Sequence, residues 1–345
     1  MPATRLRTAV VRALAGTTAA TALAAGLSAC GSDGASSASD AVSAGNAATG
    51  TVTVGALSNG AARKTDLAVS EVAKIRAELP PRVLKSGQLV VGIGALPAGS
   101  APLAFVGDDQ RTLTGSEPDI SRLVAAVLGL KPVLRNSTWE NLFVGIDSGR
   151  TDVGFSNITD TEERKRKYDF ASYREDNLAF AVLKSSTWNF AGDFENLAGR
   201  TVAVGAGTNQ EKILLEWRSK LRKEGKDVTV KYFPDNNGAY LALTGRKIDA
   251  YFAPNPDVAY HAAKDASTPA PTRTAGTFSG AGTTVQGLIA ATSKKDSGLA
   301  KPLADALNYL IANGQYAKWL AAWNLSDEAV PTSLVDPPGL PLTNS

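Results

Sequence analysis

Two kinds of apolar pattern alternate between residues 89 and 155, and they constrain the fold more than any other feature. Residues 89–93 and 151–155 are short apolar runs bounded by turn residues, which indicates buried strands. Residues 120–128 instead place apolar side chains at helical spacing, which indicates a helix packed on a core. Strands that alternate with helices form parallel sheets. The sequence therefore predicts an α/β fold.

A second series of the same kind follows after residue 200. Short apolar runs at residues 201–204, 248–252 and 284–291 predict further strands, and the chain closes on two amphipathic helices within residues 299–323. The 345 residues are enough for two domains of ordinary size. We therefore expect two α/β units.

The first 29 residues form a secretory signal rather than part of the fold. Three Arg residues precede an uncharged segment at residues 13–26, and the sequence Leu-Ser-Ala-Cys then ends at Cys30. This ending resembles a bacterial lipobox, in which cleavage leaves the Cys as a lipidated amino terminus. We expect the protein to be anchored through Cys30 to the extracytoplasmic face of the cell membrane, without a spanning helix.

Composition excludes several kinds of function. The chain has one Cys and one His, which excludes a disulfide framework and a Cys/His metal site, and we predict no cofactor. The formal charge is +3, from 36 basic and 33 acidic residues. Removal of residues 1–29, with their three Arg and no acid, leaves 33 of each, so the mature chain gives no reason to expect a nucleic-acid partner.

The segments that flank the α/β region differ from it in composition. Residues 30–64 are rich in Gly, Ser and Ala and predict a flexible tether. Residues 65–87 predict a lead-in helix, which starts at Thr65 and ends before Pro80, and a linker. Residues 330–345 are rich in Pro and predict a tail beyond the folded part.

Residues 154–170 predict a strand end, a polar turn and the start of a helix. The turn offers hydroxyl and amide groups at Ser156, Asn157, Thr159 and Thr161. Arg164 follows in the first helix turn, where its guanidinium can grip a carboxylate through two parallel N–H bonds. Ligands of open α/β sheets bind at such strand ends. We therefore predict an anion clamp here, although the basic run 164–167 as a whole fits a solvated helix face.

Two further positions are candidates for ligand contact. Residues 205–211 turn from a strand into a helix, with Thr208 and Glu211 in capping-box spacing. The free backbone N–H groups of such a helix start attract anions, but the same turn also fits a purely structural cap. Trp139 lies in the first turn of an amphipathic helix. There its ring either packs in the core or forms a flat platform for a ligand.

The ordered set of motifs within residues 80–327 resembles the bacterial extracellular solute-binding proteins of the polar amino-acid uptake type, family 3. The motifs are LPPRVLKSGQLVVGI, GSEPDISRLVAAVLGL, TWENLFVGIDSGRTD, SNITDTEERKRKYDFASY, LAGRTVAVGAGTNQE, GRKIDAY and LIANGQYAKWLAAWNL. The resemblance implies a two-lobed periplasmic-binding-protein fold (type II, Venus-flytrap), in which two hinge strands join the α/β lobes. We expect lobe 1 at residues 88–176 and 286–329, and lobe 2 at residues 177–285.

The resemblance also implies which residues hold the ligand. In the family the Arg of a Thr-x-x-Arg motif binds the ligand carboxylate, and that position is Arg164 in this sequence. Contacts are further implied for the polar turn, the aromatic platform and the helix start of lobe 2, at Asn157, Thr159, Trp139, Thr208 and Asn209.

The sequence departs from the family pattern where α-amino acids are usually held. The Asp that binds the ligand ammonium group is replaced by Pro254, and a second acidic position near the end of the first strand is Gly94. Glu117, Asp119 or Asp257 could substitute, or the ligand is not a standard α-amino acid. We expect Glu117 and Asp257 to contact the ligand.

The resemblance implies a monomeric, non-catalytic receptor that binds a small carboxylate-bearing solute and delivers it to the permease and ATPase of an ABC importer. Two alternatives stay open. One is an enzyme on the same fold, similar to dehydratases that act on prephenate or arogenate, with Glu117 or Asp119 as a general acid. The other is a lipoprotein that senses its ligand for a membrane signalling partner.

Overall fold

The computed structural model describes residues 50–343. The predicted signal, the lipidation site at Cys30 and residues 30–49 of the predicted tether lie outside these residues. No helix within the described range is long and apolar enough to cross a membrane.

The strands are β1 (Thr51–Val54), β2 (Thr65–Ala68), β3 (Gln88–Leu96), β4 (Phe105–Val106), β5 (Leu113–Thr114), β6 (Lys131–Thr138), β7 (Val153–Gly154), β8 (Tyr168–Leu183), β9 (Thr201–Val204), β10 (Thr229–Tyr232), β11 (Ala250–Pro254), β12 (Thr272–Ser279) and β13 (Gly287–Lys294). The helices are α1 (Ala73–Arg76), α2 (Pro81–Ser86), α3 (Ser116–Val127), α4 (Trp139–Asp147), α5 (Asn209–Lys223), α6 (Asn236–Thr244), α7 (Asn255–Lys264), α8 (Ala300–Ala312) and α9 (Gln315–Ala322).

One mixed sheet of nine strands runs through the described residues, in the order β10-β9-β11-β8-β13-β7-β3-β6, with β12 also beside β8. β3 pairs in parallel with β6 and β7, and β9 pairs in parallel with β10 and β11. The predicted parallel α/β units are therefore confirmed. β8 and β13 run antiparallel to their neighbours, which the sequence patterns did not indicate.

The long strand β8 divides the fold into two lobes. Its first half, up to Asp176, pairs with β13, and its second half, from Asn177, pairs with β12 and β11. Lobe 1 therefore carries β3, β6, β7, β13 and the first half of β8, and lobe 2 carries β9 to β12 and the second half. The chain crosses back between Ser279 of β12 and Gly287 of β13. The predicted two-lobed fold is confirmed.

Each lobe has its own apolar core. In lobe 1 every residue of α3 is buried, and Trp319 and Trp323 pack in the same cluster of side chains. In lobe 2 the rings of Phe180 and Phe252 stack with their centroids 4.3 Å apart, and Trp217 of α5 packs against Phe252. Burial of such large aromatic side chains contributes strongly to core stability. These cores fix the strand ends that face the space between the lobes.

The amino-terminal part of the described chain corrects two predictions. Residues 50–64 do not belong to a tether, because β1 and β2 form an antiparallel hairpin whose Val54 is fully buried against lobe 1. Residues 65–68 form a strand of this hairpin instead of the predicted helix start. The cause is tertiary: the backbone N–H of Gly55 donates to Asp119 Oδ2 at 2.7 Å, a partner 64 positions away that no local pattern indicates.

Two further segments differ from their predictions. The helix expected to carry Arg164 is a single 3-10 turn, Arg164–Arg166, because the chain enters β8 two residues later. The predicted Pro-rich tail contacts both lobes as far as residue 342. Leu340 is fully buried in the lobe 2 core, and its N–H donates to Asp160 O of lobe 1 at 3.1 Å. Leu340 supplies the apolar surface that this part of the tail buries, whereas Leu334 and Leu342 are exposed.

Candidate functional site

A cavity of about 510 Å³, which we call the cleft cavity, lies between the lobes. Lobe 1 lines it from the ends of β3 and β7 and the start of α4, with residues that include Gly94, Trp139, Ser156 and Asn157. Lobe 2 lines it from the starts of α5 and α6 and from β11, with residues that include Thr208, Asn209, Gln210, Asn236, Tyr251 and Pro254. Strand ends of both lobes converge there, as in the ligand sites of open α/β sheets.

Trp139 and Arg164 of lobe 1 both donate to one carbonyl oxygen of lobe 2. Trp139 Nε1 and Arg164 Nη2 each lie 3.2 Å from Gly207 O. The guanidinium of Arg164 also lies over the rings of Trp139 and Phe143, 5.4 Å from each centroid, in cation–π contact. The predicted aromatic platform and the predicted clamp are thus neighbours, and both form a hydrogen bond from lobe 1 to lobe 2.

Arg164 is half-buried, and its surroundings change its acidity. Nη1 donates to Thr159 O at 2.9 Å. Burial lowers the pKa of the guanidinium to about 10, while the carboxylate of Asp176 opposes the shift, so the group remains charged at neutral pH. Arg164 lines a second cavity, of about 820 Å³, together with Lys212 and Leu340. The contact of Trp139 and Arg164 with Gly207 therefore lies between the two cavities.

The start of α5 carries the predicted capping box. Thr208 Oγ1 accepts the N–H of Glu211 at 3.2 Å, and Glu211 Oε2 accepts the N–H of Gly207 at 2.6 Å. The Thr208 hydroxyl also donates to Gly205 O at 2.7 Å. The hydroxyl therefore both accepts and donates within the cap. Within residues 50–343 no protein group accepts the backbone N–H of Asn209 or Gln210, and both residues border the cleft cavity. Free N–H groups at a helix start form a seat for an anion.

Asp176 joins the two lobes at the hinge, although no sequence motif singled it out. Its Oδ2 accepts hydrogen bonds from Thr159 Oγ1 at 2.7 Å and Asn209 Nδ2 at 3.0 Å, one from each lobe. Burial raises the pKa of this carboxyl, against the hydrogen bond from Thr159. The side chains of Thr159 and Asn209, which we expected to contact the ligand, are directed to Asp176. The sequence did offer one signal for Asp176, because a charged residue within a long strand indicates a special role.

Glu117, an expected ligand contact, is surrounded by protein donors. It is fully buried at the start of α3. Its carboxylate accepts the backbone N–H of Asn157 at 2.8 Å, the hydroxyl of Tyr173 and the guanidinium of Arg174 at 3.4 Å. Glu117 borders the cleft cavity, but its oxygens are already used within the protein.

Asp257, the other expected acidic contact, lies in α7 and is 4% exposed. It accepts hydrogen bonds from Ser100 Oγ at 2.9 Å, Asn236 Nδ2 at 3.2 Å and the Tyr240 hydroxyl at 3.1 Å. Ser100 belongs to lobe 1, so this carboxylate also bridges the lobes. Burial raises its pKa to about 6. Asp257 is not among the residues that line the cleft cavity.

The two positions at which an acidic residue is usual in the family both border the cleft cavity. Pro254 ends β11, and Gly94 lies in β3. A Cβ atom at Gly94 would lie only 3.1 Å from Ser156 Oγ, so a larger residue would require Ser156 to move. The charged residues that line the cavity are all acidic: Glu117, Glu140 and Asp235.

Two α/β lobes around a cavity, with strand ends and a helix start facing it, define a protein that holds a small molecule between its lobes. Residues 93–326 match the family model of the bacterial extracellular solute-binding proteins, family 3, and the chain belongs to this family. The family expected from the sequence motifs is thus confirmed.

The chain is similar to two proteins with assigned ligands. It is 34% identical to the L-cystine-binding protein TcyJ of Escherichia coli (strain K12) over 170 residues, which cover 49% of this chain and 59% of TcyJ. It is 26% identical to the arginine-binding protein ArgT of Corynebacterium glutamicum over 268 residues, which cover 77% of this chain and 83% of ArgT. The match to TcyJ therefore spans less than two thirds of that relative.

Solved structures share the fold. An ancestral arginine-binding protein bound to arginine superposes with a TM-score of 0.59 at 24% identity, over 69% of this chain and 98% of that chain. The amino-acid ABC transporter substrate-binding protein AbpA from Streptococcus pneumoniae superposes with a TM-score of 0.59 at 22% identity, over 72% of this chain and 100% of AbpA. At these identities the likeness establishes the fold alone.

Proposed function

We propose that the protein is the substrate-binding component of an ABC importer and that it binds a small carboxylate-bearing solute, an amino acid or a derivative of one, in the cleft cavity. The observation that carries the proposal is the start of α5, whose free backbone N–H groups at Asn209 and Gln210 border the cavity that Trp139 lines. Membership of the family and the amino-acid-binding relatives support it.

In the proposed complex the ligand carboxylate occupies the start of α5. Arg164 lines the neighbouring 820 Å³ cavity, and it supplies positive charge to the cleft cavity from its contact with Gly207 O. Arg164 Nη2 donates to Gly207 O, and a carboxylate is a stronger acceptor than a carbonyl because it is charged. A ligand that takes over this contact replaces one bridge between the lobes with another. Ligand binding therefore favours the closed arrangement, and the crossings at residues 176–177 and 279–287 absorb the movement.

The rest of the cavity restricts the rest of the ligand. Its charged lining residues, among them Glu140 and Asp235, are acidic, so a second anionic group of the ligand would be repelled. The part of the ligand that lies beyond its carboxylate is therefore proposed to be neutral or cationic. Thr159, Asn209, Glu117 and Asp257 support the site through bonds within the protein rather than through direct side-chain contact.

A ligand screen tests this function. Thermal shift with the proteinogenic amino acids and L-cystine, followed by calorimetry, should identify a ligand, since a ligand at one hundred times its Kd stabilises the fold by about 2.7 kcal/mol. No binding by any of these compounds would sink the proposal. Turnover of prephenate by the purified protein would instead favour the dehydratase alternative.

The proposed anchor requires a separate test. We propose that Cys30 carries a lipid and that residues 31–49 link it to the folded part. Metabolic labelling with palmitate should label the wild-type protein and place it in the membrane fraction. Cys30→Ser should abolish the label and release the protein. A label that persists in this variant, or an unlabelled wild type, would exclude the anchor.

A further inference from the structure

We propose that Arg174 is a positioning residue that fixes the side-chain amide of Asn157, so that the cleft cavity presents an N–H donor at this point and selects a ligand oxygen over a ligand ammonium group. The inference rests on the proposed function and names a determinant of its specificity. The sequence motifs did not single out Arg174.

Arg174 is held by buried partners. It lies in the first half of β8 and is 1% exposed. Nη1 donates to Glu328 Oε2, while Nη2 lies 3.4 Å from Glu117 Oε1 and also donates to Asn157 Oδ1. Glu117 and Glu328 are themselves buried. Loss of one partner would leave an uncompensated buried charge, so these groups hold one another in place.

The backbone of Asn157 is fixed from the same side. Its φ is +52°, in the left-handed region that Asn adopts more readily than most residues. Its N–H donates to Glu117 Oε2 at 2.8 Å. The buried network of Arg174 and Glu117 therefore holds both the backbone and the side chain of Asn157.

The chemistry of the guanidinium decides which end of the amide faces the cavity. A guanidinium has only donors, so it can bond to Oδ1 of Asn157 but not to Nδ2. Within residues 50–343 no protein acceptor takes a hydrogen bond from Nδ2, and Asn157 lines the cleft cavity. A carboxylate, carbonyl or hydroxyl oxygen of a ligand can accept this bond. An ammonium group cannot, because it has only donors.

Three variants separate this role from general stability. Asn157→Asp replaces the donor in the cavity with a carboxylate oxygen and keeps an acceptor for Arg174. Arg174→Lys keeps the buried positive charge but loses the planar fork that reaches two acceptors at once. Arg122→Lys is the matched control, because Arg122 is also a buried Arg of lobe 1 and pairs with Asp119 at 2.6 Å.

Calorimetry of the four proteins would use whichever of L-cystine, L-arginine, L-glutamine and L-glutamate binds the wild type most tightly. We expect Asn157→Asp to weaken binding at least about tenfold, because it removes the N–H that donates to the ligand. Arg174→Lys should weaken binding at least about threefold, because it releases the Asn157 amide from its fixed orientation. The double variant should weaken binding by less than the product of the two factors, since both changes remove one contact. Asn157→Asp combined with Arg122→Lys should give the product of their factors. Unchanged or tighter binding by Asn157→Asp would overturn the proposal. So would a double variant of Asn157→Asp and Arg174→Lys whose loss of affinity equals the product of the two single losses.

A measurement without ligand distinguishes failure of this inference from failure of the proposed function. In the ¹⁵N-labelled free protein, the side-chain amide signal that disappears in Asn157→Asp belongs to Asn157. This signal should shift in Arg174→Lys and stay in place in Arg122→Lys. If no probe binds the wild type, the proposed function fails, but the amide signal still tests the role of Arg174. A signal that does not move in Arg174→Lys would overturn that role.

Discussion

The indole N–H of Trp139 donates to the carbonyl oxygen of Gly207 at 3.2 Å, and this bond joins lobe 1 to lobe 2. Trp139 is the first residue of α4, and Gly207 immediately precedes the cap of α5, so two helix starts meet at the cleft. Gly207 has a φ of +71°, a conformation that favours glycine. A change at either residue should therefore alter how firmly the lobes close.

Trp139→Phe should loosen the closed arrangement of the free protein. The ring packing is largely kept, but the interlobe hydrogen bond is lost, which costs about 1 kcal/mol. Small-angle scattering should report a larger radius of gyration than for the wild type. Trp188→Phe is the control, because it removes the bond from Trp188 Nε1 to Asn196 O, 3.0 Å long, inside lobe 2. Equal radii for both variants would show that the Trp139 bond does not hold the lobes.

Arg164→Ala should lower ligand affinity by about 2–5 kcal/mol, because it removes a partly desolvated charge partner of the ligand carboxylate. Calorimetry with the ligand found by the screen measures the loss. Arg166→Ala is the matched control, since Arg166 is an exposed arginine of the same 3-10 turn. The clamp assignment fails if the two variants bind equally well.

Asp160 should make the stability of the protein depend on pH. It is fully buried, neither of its oxygens has a hydrogen-bond partner in the described chain, and Lys165 Nζ lies 3.5 Å from Oδ1. Burial raises its pKa to about 7. The folded-state pKa exceeds the unfolded one, so the free energy of unfolding should fall by up to about 4 kcal/mol as pH rises from about 4 to about 7.

Asp160→Asn removes this titration and should gain stability relative to the wild type over the same pH range. Urea unfolding at several pH values measures the difference. Asp108→Asn, at an exposed position, controls for the loss of one acidic charge. A difference between Asp160→Asn and the wild type that stays constant with pH would contradict the prediction.

Leu340→Ala should destabilise the protein by about 2–5 kcal/mol, because it leaves a cavity in the lobe 2 core that the tail helps to fill. Leu342→Ala provides the control two residues further on, where the side chain is 48% exposed. Urea unfolding compares the two. If both variants unfold at the same urea concentration, the tail does not contribute to the core.

Much of the fold could be predicted because it rests on local patterns. The apolar runs of β3, β7 and β9, the helical spacing in α3 and the cap of α5 depend on neighbouring residues, which a sequence displays directly. The hairpin of β1 and β2 could not be predicted in the same way. Each of its strands is only four residues long, and its stability comes from burial against lobe 1.

The sequence by itself determined the α/β architecture, the motifs of the family and the residues that meet at the cleft, among them Trp139 and Asn157. Only the tertiary structure decided which atoms of those residues are available. Thr159 and Asn209 both donate to Asp176, and the Asn157 side-chain oxygen accepts from Arg174. The direction of a hydrogen bond at a buried group depends on every partner around it, and the folded chain assembles those partners from distant positions.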